Sequence, residues 1–377
     1  MKNKFLLLVS LLCFSCGGVI SSQGTTITDL IGREIVINPG IYKRVCCIGA
    51  GALRMYSYIR DINNLSGVED IDNPSLTNRP KMFDTVARPY FIAYEDVFKT
   101  LPSCGVGGPN AQTIETEKIL SCNPDIIISE YEDVNNANAL QNKIGVPVIT
   151  IRYGDKGIFD ENVSKSLALL GKIFAKEDRA TELNNFIIDE KQQIISKINN
   201  ATSDKKVYIC GLGNWGTTNH LMTVKNYEPF NICKINNIAN DLIKDGIQKI
   251  EEEKFISYSE NIDIMIIDAA AIKNIKPLYK QNPNMFSTCK AWNNGEVYLQ
   301  MAYNAYYTNL ETSLINTWFN AKVVYQDLFS DLDMNEKTNQ ITKKFLNKEL
   351  ANEINAYPNS FGGYQKINTA TFLIINI

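Results

Sequence analysis

Three tyrosines crowd into five residues in the stretch "LQMAYNAYYTNLET" (Leu299 to Thr312), where Tyr303, Tyr306 and Tyr307 alternate with Asn304, Thr308 and Asn309. Flat faces with hydroxyl and amide groups suit a polar, ring-bearing ligand; the alternative is a helix start whose rings pack on the core. "ARPYFIAY" adds Arg88, Tyr90 and Tyr94, and arginine offers a planar fork for carboxylate or other anionic oxygens. In "GAGALR" the small residues permit close backbone approach and a helix start favours an anion. Arg54 there either faces a ligand or rides its helix. "GLGNWG" (Gly211, Gly213, Gly216) has the spacing of a dinucleotide fingerprint, but no helix and no acidic residue follow where that site needs them. It reads as a loop presenting Trp215 to a ligand, or as a plain turn. "GVGGP" (Gly105 to Pro109) lacks the Gly-Lys-Ser/Thr of a phosphate loop and shapes a rim.

His220 is the single histidine. One imidazole does not make a bare divalent-metal site, which needs several histidines and carboxylates. It makes a structural hydrogen bond or an axial contact to haem or cobalt. Ferric iron accepts phenolate oxygen, so direct ligation by Tyr303, Tyr306 or Tyr307 is one chemistry open to the stretch. An iron chelate brings its own ligands and asks only for aromatic walls and a few charges, and that reading is favoured, with no residue assigned as a metal ligand. Beyond the leader the cysteines are Cys46, Cys47, Cys104, Cys122, Cys210, Cys233 and Cys289. The number is odd and no C-x-x-C occurs, which argues against a zinc knuckle. No nucleophile–His–acid set is evident, so no catalytic residue is assigned and a binding protein is expected rather than an enzyme. The competing class is an extracytoplasmic α/β enzyme or metal-cluster protein.

The elements that must position these residues are legible as pattern. Short apolar β-branched runs ("RVCCIG", "GVED", "DIIIS", "VPVITI", then "KVYICG", "DIMIID", "EVYLQ") alternate with helical stretches, which indicates parallel sheets. "TEKILSCNPDIIISE" and "EEKFISYSENIDIMIIDA" repeat one grammar, a charged helix end, an Asn-x-Asp turn and a buried strand. Between the halves no Gly or Pro interrupts Lys176 to Asn199, and apolar residues recur every three to four positions. The predicted fold is α/β: two Rossmann-like lobes with parallel sheets, joined by one long rigid α-helix. The boundaries fall at 1–22 (leader), 23–175 (N-terminal lobe), 176–200 (connecting helix) and 201–377 (C-terminal lobe).

The start reads as an export signal: Lys2 and Lys4, the apolar run "FLLLVSLLCF", then "SCGG". The run is too short to span a bilayer. Ser15 before Cys16, with Gly17 and Gly18 after it, looks like a lipoprotein signal with Cys16 lipidated, although Cys13 stands where such boxes have Leu. Ordinary cleavage near Ser21 or Ser22 is the alternative. The chain is expected outside the cytoplasm, in the periplasm or lipid-anchored on the outer face of the membrane. A net charge of −3 and pI near 5.5 argue against nucleic acid.

An exported chain with two α/β lobes and one connecting helix resembles the solute-binding proteins of ATP-driven importers, in the iron–siderophore and cobalamin group. "TDLIGREIVI" resembles that group's opening hairpin, "RVCCIGAGALRMYSYI" its first strand and helix, and "RPYFIAYEDVFKTLPSCGVGGPNAQTIETEKILSCNPDIII" its central segment. "YNAYYTN", "KVVYQDLF" and "FGGY" resemble the C-lobe end of an iron-uptake branch. The likeness covers nearly the whole mature chain. One departure is the region "GNWGTTNHLMT", where that branch has a Gly-flanked His. The resemblance implies a monomer that captures a ferric chelate, with haem or a cobamide as alternatives, and delivers it to permease and ATPase subunits. It also implies docking through an acidic residue on each lobe, here Glu95 (or Asp96) and Glu228. Strand polarity and resemblance together turn the "YNAYY" loop toward a cleft between the lobes.

Overall fold

The buried runs become strands because both faces of a parallel sheet are covered by helices. The computed structural model describes residues 24–59, 61–108, 114–213 and 218–372. Cys16 and the leader, Pro109 and Trp215 lie outside the described residues. An antiparallel hairpin opens the chain, β1 (Thr25–Thr28) with β2 (Glu34–Ile37). The N-lobe sheet contains β3 (Val45–Ile48), β4 (Leu65–Glu69), β5 (Ser103–Gly105), β6 (Ile126–Ser129) and β7 (Val148–Thr150). Its order is β5-β4-β3-β6-β7, all parallel. The order reverses at β3, and the crevice beyond β3 is where such sheets bind ligands. The lobe's helices are α1 (Ala52–Ile59), α2 (Pro89–Phe98), α3 (Thr116–Ser121), α4 (Val134–Ile144) and α5 (Glu161–Phe174).

Ala175, at a left-handed φ of 50°, ends α5, and the chain restarts as α6 (Glu177–Ile198), the predicted connecting helix. Its 22 residues span about 33 Å. Ala180, Leu183, Ile187, Glu190, Ile194 and Ile198 form its buried stripe, spaced as one helical face. Glu190 is a carboxylate in that stripe. It accepts from Trp318 Nε1 at 2.7 Å and Lys337 Nζ at 3.2 Å, which ties the helix to the C-terminal half.

The second sheet contains β8 (Lys206–Cys210), β10 (Asn236–Asn237), β12 (Ile264–Asp268), β13 (Val297–Gln300) and β14 (Gln365–Lys366), in the order β10-β8-β12-β13-β14. Only β14 is antiparallel. A separate antiparallel ribbon pairs β9 (Met222–Val224) with β11 (Ile247–Lys249). Helix α7 (Glu228–Ile232) follows β9, and the helix Leu310–Val324 leaves the "YNAYY" loop. All seven sequence-predicted strands are present. The short β5, β9, β10, β11 and β14 carry too few residues to show a period.

The lobes meet through more than α6. The helix Met334–Leu346 packs on α1 and α2, and Tyr94 Oη donates to Leu346 O at 2.6 Å. A long helix plus this strap is expected to limit the lobes to a small rocking motion, unlike hinge-strand proteins that swing widely. Small-angle scattering profiles recorded with and without ligand are expected to nearly superimpose; a clear compaction on binding would show that α6 or the strap yields.

Candidate functional site

Strand β13 ends at Gln300 and delivers the chain into a tight loop. Asn304 and Thr308 form an antiparallel bridge, Ala305 N donates to Tyr307 O at 2.8 Å, and Asn309 N donates to Tyr303 O at 2.8 Å. Tyr306 and Tyr307 at the tip have φ of 53° and 69°. Two successive non-glycine residues in the left-handed region cost about 1–3 kcal/mol each and persist only where the surroundings over-determine them.

Arg54 supplies that constraint. It is fully buried in α1. Its Nη2 donates to Ala305 O (2.6 Å) and Asn309 Oδ1 (2.9 Å), and its Nη1 to Thr308 O (2.7 Å) and Tyr306 O (3.2 Å). Glu311 lies 3.9 Å from Nε. Burial works against the charge, but Tyr153, Tyr90 and Glu311 more than offset it and hold the guanidinium protonated. Asp268, at the end of β12, accepts from Tyr303 N at 2.9 Å, and the Tyr306 hydroxyl donates to Glu69 at the end of β4. Burial is the main cause raising both acids, each to about 7.

The sequence expectations are corrected at several residues. Arg54 faces no ligand, because its terminal donors are occupied by the loop. Arg88 is fully buried, paired with Asp72, and its guanidinium lies 4.4 Å from the Phe91 ring. Tyr90 is fully buried and donates to the same Asp72 at 2.8 Å. Neither residue lines the cleft, since an unpaired Asp72 in that interior would be costly. Tyr94 is tied to Leu346 O. Asn309 is buried; it accepts from Arg54 and donates to Ala87 O (3.1 Å) and Ala302 O (2.9 Å), so it positions the loop. His220 is 3% exposed and edge-on to Phe255 and Phe286, with Nε2 3.3 Å from Glu252. Burial pushes its pKa below the ordinary value. It borders a separate cavity of about 470 Å³ that shares no lining residue with the cleft. The glycines of "GAGALR" serve packing: at Gly51, with φ 89°, a Cβ would meet the Tyr153 hydroxyl at 2.4 Å.

Tyr303, Tyr306 and Tyr307 do come together on one cleft of about 580 Å³ between the lobes, within the range of small-molecule sites. Each ring has a partner. Tyr303 packs on Tyr227 (centroids 5.1 Å apart), Tyr306 on Phe83 (6.2 Å) and Tyr307 on Tyr153 (4.6 Å). The last two pairs cross from one lobe to the other. Tyr307 is 38% exposed, the most open of the three. At Gly157, with φ 56°, a Cβ would stand 2.6 Å from the Tyr303 hydroxyl, so only glycine admits that ring. Glu228, expected on a docking face, lies on the cleft wall and accepts from Asn231 Nδ2 at 3.0 Å. Glu95 is exposed on α2. The sequence reading missed Phe83, Asp155, Lys156, Lys225, Tyr227 and Asp245 on the same wall. Asp155 and Lys156 follow the end of β7, so the strand-end rule applied there also would have found them. Among the described residues no cluster of three His, Cys, Asp or Glu could hold a metal ion.

Two α/β lobes bridged by a helix, with a ring-lined cleft at the strand ends, define a two-lobed solute-binding protein. The profile of the periplasmic binding protein family matches residues 85–302, more than half of the chain, and the chain belongs to that family. It is therefore an extracytoplasmic solute-binding protein of the kind that serves ABC importers. Solved structures agree in fold. A periplasmic solute-binding protein from Veillonella parvula is 20% identical, with 90% of this chain and 98% of that one covered at a TM-score of 0.67. A molybdate periplasmic binding protein from Haemophilus influenzae is 14% identical, covering 86% and 98%, at 0.65. An ABC transporter solute-binding protein from Sulfurospirillum deleyianum is 19% identical, covering 88% and 98%, at 0.61. No curated protein matches the chain by sequence.

Two outcomes test this geometry. Arg54→Ala breaks a buried charged network and is expected to lower stability by ~3–5 kcal/mol in urea unfolding; a change under about 1 kcal/mol would show that the loop holds itself. Glu69 has a folded pKa raised from 4.5 to about 7, so its contribution is fully present below about pH 4.5 and is lost as pH rises through 7. Asp268 acts with the same sign. The urea midpoint should therefore fall less between pH 5 and pH 8 in Glu69→Gln than in the parent; an unchanged slope would mean Glu69 is ionised throughout.

Proposed function

We propose that this protein captures a ferric chelate of the siderophore type outside the cytoplasm and delivers it to a membrane permease that works with an ATPase subunit. The observation that carries this reading is the cleft itself. Its walls are rings and a few charges, Phe83, Tyr303, Tyr306 and Tyr307 with Asp155 and Lys156. Such walls suit a complex that brings its own metal ligands and presents flat organic surface. Haem and cobamides are complexes of the same kind and remain the alternatives. In this reading the protein acts as a monomer, Cys16 anchors it by a lipid, and Glu95 meets the permease.

The direct test is the protein purified from its own host, examined by native mass spectrometry and visible absorbance. A bound metal complex is expected; a metal-free organic solute as the sole bound species would overturn the reading. Tyr307→Ala should weaken ligand binding by about tenfold through lost ring contact, measured by calorimetry, and unaltered affinity would remove Tyr307 from the site. Glu95→Arg should abolish uptake in cells and leave the affinity of the purified protein as it was. Undiminished uptake would take Glu95 off the docking face.

A further inference from the structure

We propose that the cleft accepts metal complexes whose net charge is zero or positive and rejects polyanionic chelates. This rests on the reading of the cleft as the ligand site. The first observation is where the arginines went. Arg54 has its terminal donors on Ala305, Tyr306, Thr308 and Asn309, and Arg88 is paired with Asp72; both are fully buried. Neither can meet an anionic oxygen.

The second observation is the remaining charge on the wall. Two cationic side chains, Lys156 and Lys225, face three acidic ones, Asp155, Glu228 and Asp245, so the lining sums to 2 − 3 = −1. Behind it, Asp160 accepts from the backbone N–H of Asp155 (3.1 Å) and Lys156 (3.3 Å), while Arg152 is paired with Glu132 at 2.7 Å. The third observation is the rings. The faces of Tyr303, Tyr306, Tyr307 and Phe83 carry negative quadrupole density, which attracts cations and repels anions. All three push the same way, and because Asp155 and Asp245 are exposed the charge part of the preference is sensitive to salt.

The test is binding of a charge series to the full protein by calorimetry and quenching of intrinsic fluorescence. The probes are a linear ferric trihydroxamate bearing one positive charge, neutral cyanocobalamin, haem with its two propionates, and a ferric tricatecholate bearing three negative charges. The positive or the neutral complex is expected to bind on the order of a hundredfold more tightly than the tricatecholate, with added salt narrowing the gap. Asp155→Lys combined with Asp245→Lys reverses two exposed charges and should narrow it by about tenfold or more. If the tricatecholate or haem binds as tightly as the best neutral or positive probe, and Tyr307→Ala weakens it, the charge inference falls while the chelate-binding reading stands. If no metal complex of any charge binds, that reading falls and the inference falls with it.

Discussion

The structure turns on one buried guanidinium. Removing a cation from water costs several kcal/mol after relaxation, so Arg54 survives at the junction only because four oxygens and Glu311 surround it. In return it fixes the backbone of a loop that would not otherwise hold two tyrosines at positive φ. The aim of the rings is thus set by the opposite lobe. Cleft shape and lobe packing are one property, because the group that joins the lobes also builds the binding wall.

Two acids reinforce this, one from each lobe. Glu69 stands at the end of β4 in one lobe and Asp268 at the end of β12 in the other, and each grips the same loop, one through the Tyr306 hydroxyl and one through the Tyr303 amide. Strand ends of both lobes thus converge on one short segment. Ring pairs that cross between lobes, Phe83 with Tyr306 and Tyr153 with Tyr307, extend the same convergence into apolar contact.

Much of this was legible beforehand. Runs such as "DIIIS" and "DIMIID" announced buried parallel strands, and the unbroken stretch from Lys176 announced α6, because both signals are local and periodic. The placement of the three tyrosines at a strand exit also followed from polarity alone. Arg54 and Arg88 were misjudged for a physical reason. The strand-end rule locates a backbone near the cleft but does not say which way a helical side chain turns. Their acceptors sit either some 250 residues away in sequence or in the unremarkable "DID" turn holding Asp72. Glu228 was assigned to a docking face from the resemblance and from its place just past a strand end, and "KNYEPF" indeed follows β9 directly, with Glu228 on the cleft wall. His220 shows no local sign of the Phe255 and Phe286 rings that enclose it.

The strap formed by the helix Met334–Leu346 has a consequence for biogenesis. Helix α1 cannot bury Arg54 and Tyr58 until the chain some 250 residues downstream has emerged, since their partners are the loop at 305–309, Glu311 and Phe345. Contacts of such sequence separation form late, after loop closure over most of the polypeptide. The first lobe therefore leaves the ribosome with a charged helix it cannot yet cover, and its nascent form is held short of the native state.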